Sequence, residues 1–193
     1  MQGILRGKPR PLRRLLIYFL KMRGSTQCPP AAPASEIAWA WLGAFLAMAT
    51  LAAMHDSLVT QGDLMMLMGS FGASAVLVFG AIRSPLAQPR NLVGGHVLSA
   101  LVGVACYQWL GDFPVMAAAT AVATAIALMH ATRTLHPPGG ATALIAVIGS
   151  ERVHELGYAF ALVPAGAGAV IMLAVGLGVN NLSRGRRYPL FWV

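Results

Sequence analysis

Long apolar stretches alternate with short polar joints along most of this chain, at about Ile37–Met54, Leu64–Ile82, Leu92–Leu110, Phe113–Met129, Gly140–Gly149 and Tyr158–Leu182. The longer ones approach or exceed the ~20 apolar residues that a helix needs to cross a bilayer. Gly140–Gly149 does not; at ~1.5 Å per residue it makes about 15 Å of helix, half of a ~30 Å hydrocarbon layer. An extended arm over Arg133–Gly139, at ~3.3 Å per residue, supplies the remainder. The pattern therefore predicts an all-α membrane protein of about six spans, the fifth a composite of extended arm and half-helix.

Composition supports that class. Charged residues are 10% of the chain and hydrophobic residues 57%, against roughly 25% charged in an average soluble domain. The domain organisation expected is a basic tail over 1–35, a membrane domain over 36–182 and a second basic tail over 183–193. Within the first tail, Leu15–Leu20 is apolar enough to lie on a membrane surface.

The net charge of +8 raises nucleic acid as a partner, but the cations lack interleaved aromatics for base stacking, so none is expected. Topology accounts for them better. In a six-span chain, one side receives Arg6, Lys8, Arg10, Arg13, Arg14, Lys21, Arg23, Arg83, Arg90, Arg133, Arg184, Arg186 and Arg187. Only Arg152 falls on the other side, with Asp56, Asp63, Asp112, Glu151 and Glu155. The positive-inside rule then makes both termini cytoplasmic. The expected location is a bacterial inner (plasma) membrane. Cys28 and Cys106 are too few for a disulfide framework or a structural zinc site.

An internal repeat sharpens the fold. Gly72-Ala73-Ser74-Ala75-Val76-Leu77 matches Gly140-Ala141-Thr142-Ala143-Leu144-Ile145 at an offset of 68, and each follows a span ending in Met-His. The halves run over about 37–105 and 113–182. Three spans per half makes the repeat inverted in topology, a plan that sets discontinuous helices near the bilayer midplane. The expected breaks are His136–Gly140 in the fifth span and Gly69–Gly72 in the second, with one continuous helix over Leu64–Ile82 as the alternative for the second.

The motifs resemble those of the HPP family of integral membrane proteins, whose signature stands here as His136-Pro137-Pro138. The likeness covers most of Ile37–Leu182. It takes in Gly72–Val76, Ser84–Asn91 with Gly94-Gly95-His96, and His136–Leu144. It implies transport, with nitrite or a similar small anion as the favoured substrate.

A half-helix starting at mid-membrane leaves unpaired N–H groups and about half a positive charge at its first turn, which suits an anion. The candidate substrate-binding residues are Ser70, Gly72, Ala73, Ser74, His96, His136, Pro137, Pro138, Gly139, Gly140, Ala141 and Thr142, with Arg90 and Asn91 as a cytoplasmic gate. Each has a plainer alternative. His136 either serves the anion or a coupled proton, or makes a capping or interhelical bond. His96 either belongs to the site or braces irregular backbone, and Arg90 is equally an orientation signal. Gly95, Ser99 and Gly103 read as close helix packing, His55 and His130 as interfacial residues. Met65, Met66 and Met68 read as lipid- or helix-facing rather than metal ligands.

No intramembrane carboxylate or converging acid–base set appears, so neither an enzyme nor a cofactor or metal is expected. The partners expected are membrane lipid and a small anion, and a homo-oligomer is left open. The alternative function is a sensor or assembly module that binds a small ligand without moving it.

Overall fold

The computed structural model describes residues 10–22, 28, 30–55 and 61–193. Arg6, Lys8, Arg23 and Asp56 from the charge count lie outside the described residues, as do the side chains of Arg10, Arg13 and His55. The chain divides into two units, Met1–Ala32 and Pro33–Val193. The first holds helix α1 (Arg10–Lys21), whose Leu15, Tyr18 and Phe19 are exposed.

The second unit is all helical among the described residues: α2 (Ala34–His55), α3 (Gln61–Ala75), α4 (Pro89–Leu110), α5 (Pro114–Ala131), α6 (Pro137–Ile148), α7 (Glu151–Leu156) and α8 (Ala167–Leu182). Five helical stretches among these residues are long and apolar enough to span a membrane, beside the shorter α6. The chain is an integral membrane protein. Prolines open α4, α5 and α6 at a position whose N–H has no helical partner.

The short fifth element is present, with a different division of labour. α6 starts at Pro137, three residues before the expected Gly140, and the non-helical arm shrinks to Thr134–His136. Three extended residues and twelve helical ones together reach about 28 Å. Pro137 itself disfavours helical backbone at the residue before it, and His136 is extended at φ −139°, ψ 103°.

The expected break in the second span is not where the glycines suggested. α3 runs through Gly69-Ser70-Phe71-Gly72 as regular helix, and the irregularity comes later, in a π-helical turn at Val76–Gly80. Glycine lowers helix propensity by only about 1 kcal/mol, too little to break a helix that packing holds. The last span departs further. Its α-helix begins at Ala167, after a 3₁₀ turn at Gly157–Ala161 and a π turn at Leu162–Gly166. Val163 is extended there (φ −139°, ψ 121°), the conformation Pro164 imposes on its predecessor.

Small residues bring the helices close. Ala117, Ala121 and Ala125 form a fully buried stripe on α5, as membrane helices use where backbones approach. A Cβ on Gly95 would sit 2.5 Å from His136 Cβ, and one on Gly139 would sit 2.7 Å from Ser99 Oγ. A Cβ on Gly103 would collide with the Ala143 carbonyl. The α4–α6 contact therefore depends on three glycines.

Two residues of the 183–193 segment, Arg186 and Tyr188, are buried against the helices, while Leu190–Val193 are exposed. Arg186 is buried, its guanidinium bonding Glu36 Oε2 (3.0 Å), Asn180 Oδ1 (2.7 Å) and the Phe79 carbonyl (2.7 Å). The Tyr188 hydroxyl donates to the Ala87 carbonyl at 2.7 Å, and the Leu190 N–H donates to Gln88 Oε1 at 2.8 Å. Gln88 Nε2 in turn donates to the Ile82 and Ser84 carbonyls. The last residues thus strap down the 3₁₀ turn at Pro85–Ala87.

Candidate functional site

Five buried polar side chains meet where α3, α4 and α6 pack together: Ser70 and Ser74 from α3, His96 from α4, His136 at the start of α6, and Thr142 six residues further on. Ser70 and Ser74 are one helical turn apart and therefore share a face of α3. Ser74 Oγ lies 2.8 Å from His96 Nε2 and 2.9 Å from His136 Nε2. His96 Nδ1 lies 2.7 Å from Thr142 Oγ1, and His136 Nδ1 lies 2.9 Å from the Leu86 carbonyl. Ser70 Oγ lies 2.9 Å from both Thr142 Oγ1 and the Pro138 carbonyl. The imidazole centroids are 5.0 Å apart, and the Phe71 ring lies 4.8 Å from His96.

Donor counting assigns the protons. A carbonyl oxygen only accepts, so His136 carries a proton on Nδ1 and, as a neutral ring, accepts at Nε2. Ser74 therefore gives its one proton to His136 Nε2 and accepts from His96 Nε2–H. His96 then accepts at Nδ1 from the Thr142 hydroxyl, and Ser70 gives its one proton either to the Pro138 carbonyl or to Thr142. Neutral rings fit the surroundings, because an unpaired charge buried in a low-dielectric interior is far more costly than a hydrogen-bonded polar group. Among the described residues, every buried side-chain nitrogen or oxygen has a partner.

Ser70 Oγ lies 2.9 Å from the carbonyl of Pro138, its own counterpart at the offset of 68, and the matched Gly72 and Gly140 segments lie on the adjoining helices α3 and α6.

The anion chemistry expected of paired helix starts is absent. α3 has no break to supply one end. At the other, Pro137 and Pro138 have no N–H, and the Gly139 N–H donates to the His136 carbonyl at 2.8 Å. The two prolines that shape the arm also remove the donors that make a helix start attractive to anions.

Other expected site residues face elsewhere. Ala73 is exposed, and a Cβ on Gly72 would face Met48 of α2. Pro137, Gly140 and Ala141 line an apolar groove of about 460 Å³ between α5 and α6, away from the polar cluster. Pro138 contributes its carbonyl, while Gly139 packs on Ser99 and Gly95. Arg90 Nη2 donates to the Thr132 carbonyl at 2.7 Å, and Asn91 Nδ2 to the Leu135 carbonyl at 2.8 Å. Both tie α4 to the arm before His136 and do not reach the imidazoles.

Three groups were missed from sequence. The Leu86 carbonyl sets the His136 tautomer, and the proline-flanked polar loop around it was the available signal. Asn180 donates to the Val78 carbonyl at 2.9 Å, and an amide pair in an apolar span marks such a role. Asp63 accepts from both the Ser150 N–H (2.9 Å) and the Ser150 hydroxyl, joining the start of α3 to the end of α6.

Comparison with known proteins agrees with the membrane architecture. A family model described as "HPP, transmembrane region" matches residues 29–189. Two curated transmembrane proteins of Dictyostelium discoideum are similar, one 45% identical over 178 residues and the other 47% identical over 184. These matches cover 91% and 92% of this chain but only 57% and 64% of the relatives' lengths. No solved structure matches it.

Proposed function

The chain belongs to the HPP transmembrane family, and we propose that it is a transporter or channel for a small monovalent anion, nitrite foremost, rather than an enzyme. The observation that carries this reading is the buried cluster of two imidazoles and three hydroxyls. Ionisable side chains inside membrane helices are rare and mark ion or substrate pathways. The Ser70, Ser74 and Thr142 hydroxyls and the His96 Nε2–H are donors that rotation or exchange of partners turns towards an anion.

In the proposed orientation both termini are cytoplasmic. The Leu86 turn then faces the cytoplasm and the Asp63–Ser150 joint the opposite side. The test is uptake of nitrite, nitrate, formate and chloride by proteoliposomes. Nitrite uptake above that of protein-free vesicles supports transport, and no anion uptake by folded protein removes it. The competing reading is a membrane module that moves nothing, favoured by the completeness of the internal hydrogen bonding. Zero flux with ligand-induced thermal stabilisation selects it.

A further inference from the structure

We infer that Ser74 bridges the two histidines as a proton relay, so that the transported species includes a proton. The inference builds on the transport reading of the same cluster. It starts from the geometry that places both Nε2 atoms on one hydroxyl, at 2.8 Å and 2.9 Å. Three consecutive hydrogen bonds, each at 2.9 Å or less, join Thr142 to His96, His96 to Ser74 and Ser74 to His136.

The heavy atoms accommodate two opposite polarities of the chain. In the resting polarity Thr142 donates to His96, His96 to Ser74, Ser74 to His136, and His136 to Leu86. When Thr142 Oγ1 takes a proton from water, its original proton passes to His96 Nδ1. The His96 Nε2 proton passes to Ser74, and the original Ser74 proton passes to His136 Nε2. One proton has entered, and His136 is an imidazolium bonded through Nε2–H to Ser74 and through Nδ1–H to Leu86. No heavy atom has to move for the hops from Thr142 to His136, but Thr142 is buried, so its helix contacts must part before water reaches it.

The Leu86 carbonyl cannot pass the proton on, since a carbonyl only accepts. Release requires the Pro85–Ala87 turn to withdraw, so that Nδ1 delivers its proton to water. The chain then holds its original number of protons, and it resets when water admitted by the withdrawn turn takes the proton from one nitrogen of each ring and returns one to the other, with rotation of the two hydroxyls. While His136 is charged it supplies the positive counterpart that an uncharged cluster lacks, so a proton and an anion enter together.

The groups facing the two rings are Ser74 and Phe71 from α3, Thr142 from α6 and the Leu86 carbonyl from the turn. None is charged. The charged groups of the adjoining helices are engaged elsewhere, Asp63 with Ser150 and Arg90 with the Thr132 carbonyl, and His130 of α5 is exposed.

The experiment follows internal pH and nitrite uptake separately in proteoliposomes under inward gradients of nitrite and protons, with the membrane potential clamped at zero by potassium and valinomycin and protein-free vesicles as the blank. Wild-type protein is expected to take up protons together with nitrite. Ser74→Ala is expected to lower proton uptake by about tenfold or more, and Ser74→Thr, which keeps a hydroxyl, to recover part of it. Nitrite uptake with no proton movement overturns the relay and leaves anion transport standing. Proton uptake without nitrite uptake keeps the relay and overturns the anion reading, and absence of both overturns both. Equal proton uptake by wild type and Ser74→Ala also overturns the relay. If neither variant folds, proton influx by wild type is compared in H₂O and D₂O. Slowing in D₂O supports the relay, and equal rates overturn it.

Discussion

Ser74→Ala isolates the bridging hydroxyl, and its effect on stability follows from the bonds that it removes. Ser74 is fully buried and is the partner of both imidazole Nε2 atoms. Without it, the His96 Nε2–H donor and the His136 Nε2 acceptor each lose the partner that held them at 2.8 Å and 2.9 Å, and the ring centroids stand 5.0 Å apart. Retautomerising His96 turns its donor into an acceptor and relieves neither. A buried polar atom left unpaired costs about 1–3 kcal/mol, so Ser74→Ala should destabilise the protein by about 2–6 kcal/mol. Ser70→Ala provides the internal comparison. Its hydroxyl gives its one proton either to the Pro138 carbonyl or to Thr142, and its loss strands no donor, giving about 1 kcal/mol. Reversible denaturant titration in mixed micelles, followed by far-UV circular dichroism, measures both. Equal losses for the two alanines, or less than about 0.5 kcal/mol for Ser74→Ala, would refute the shared-hydroxyl account.

Gly95→Ala should cost about 1–3 kcal/mol by overpacking, because its Cβ meets His136 Cβ at 2.5 Å and the Thr134 carbonyl at 3.0 Å. Gly140→Ala, whose nearest neighbour would be Val122 at 3.8 Å, should not destabilise, and the same titration compares the two. Arg186→Ala should cost about 3 kcal/mol, the low end for breaking a buried pair, since the Glu36 side chain is 36% exposed and rehydrates. Arg186→Lys should restore less than half of that, having no fork to serve three acceptors. Burial holds the Tyr188 phenol above its ordinary value of 10.0. The unfolded chain therefore loses that proton first, and stability should fall as pH rises above about 10. Tyr188→Phe should flatten that alkaline decline in stability-versus-pH curves.

Much of the architecture was legible because apolar length is a strong signal. The short Gly140–Gly149 run, too brief to span, correctly located the half-helix, and Pro137 accounts for the extended His136 before it. Residue type and the repeat singled out His96, His136, Ser70, Ser74 and Thr142, and the structure brings these five together. The chemistry assigned to their neighbourhood was less legible. Gly69 and Gly72 suggested a break that helical packing overrides, and Pro137 and Pro138, placed among the anion-binding candidates, bring no N–H donors to the start of their helix. The strap formed by Arg186 and Tyr188 depends on contacts roughly a hundred residues distant in sequence. Periodicity carries no information about such pairings, and the arginine was legible only as a topology charge.

The account stands most directly on which nitrogen of each imidazole holds the proton. Nitrogen-15 solid-state NMR of histidine-labelled protein in bilayers at neutral pH reads this for both residues. The prediction is two neutral rings, His96 protonated at Nε2 and His136 at Nδ1. An imidazolium at either position, or His136 protonated at Nε2 alone, would contradict it.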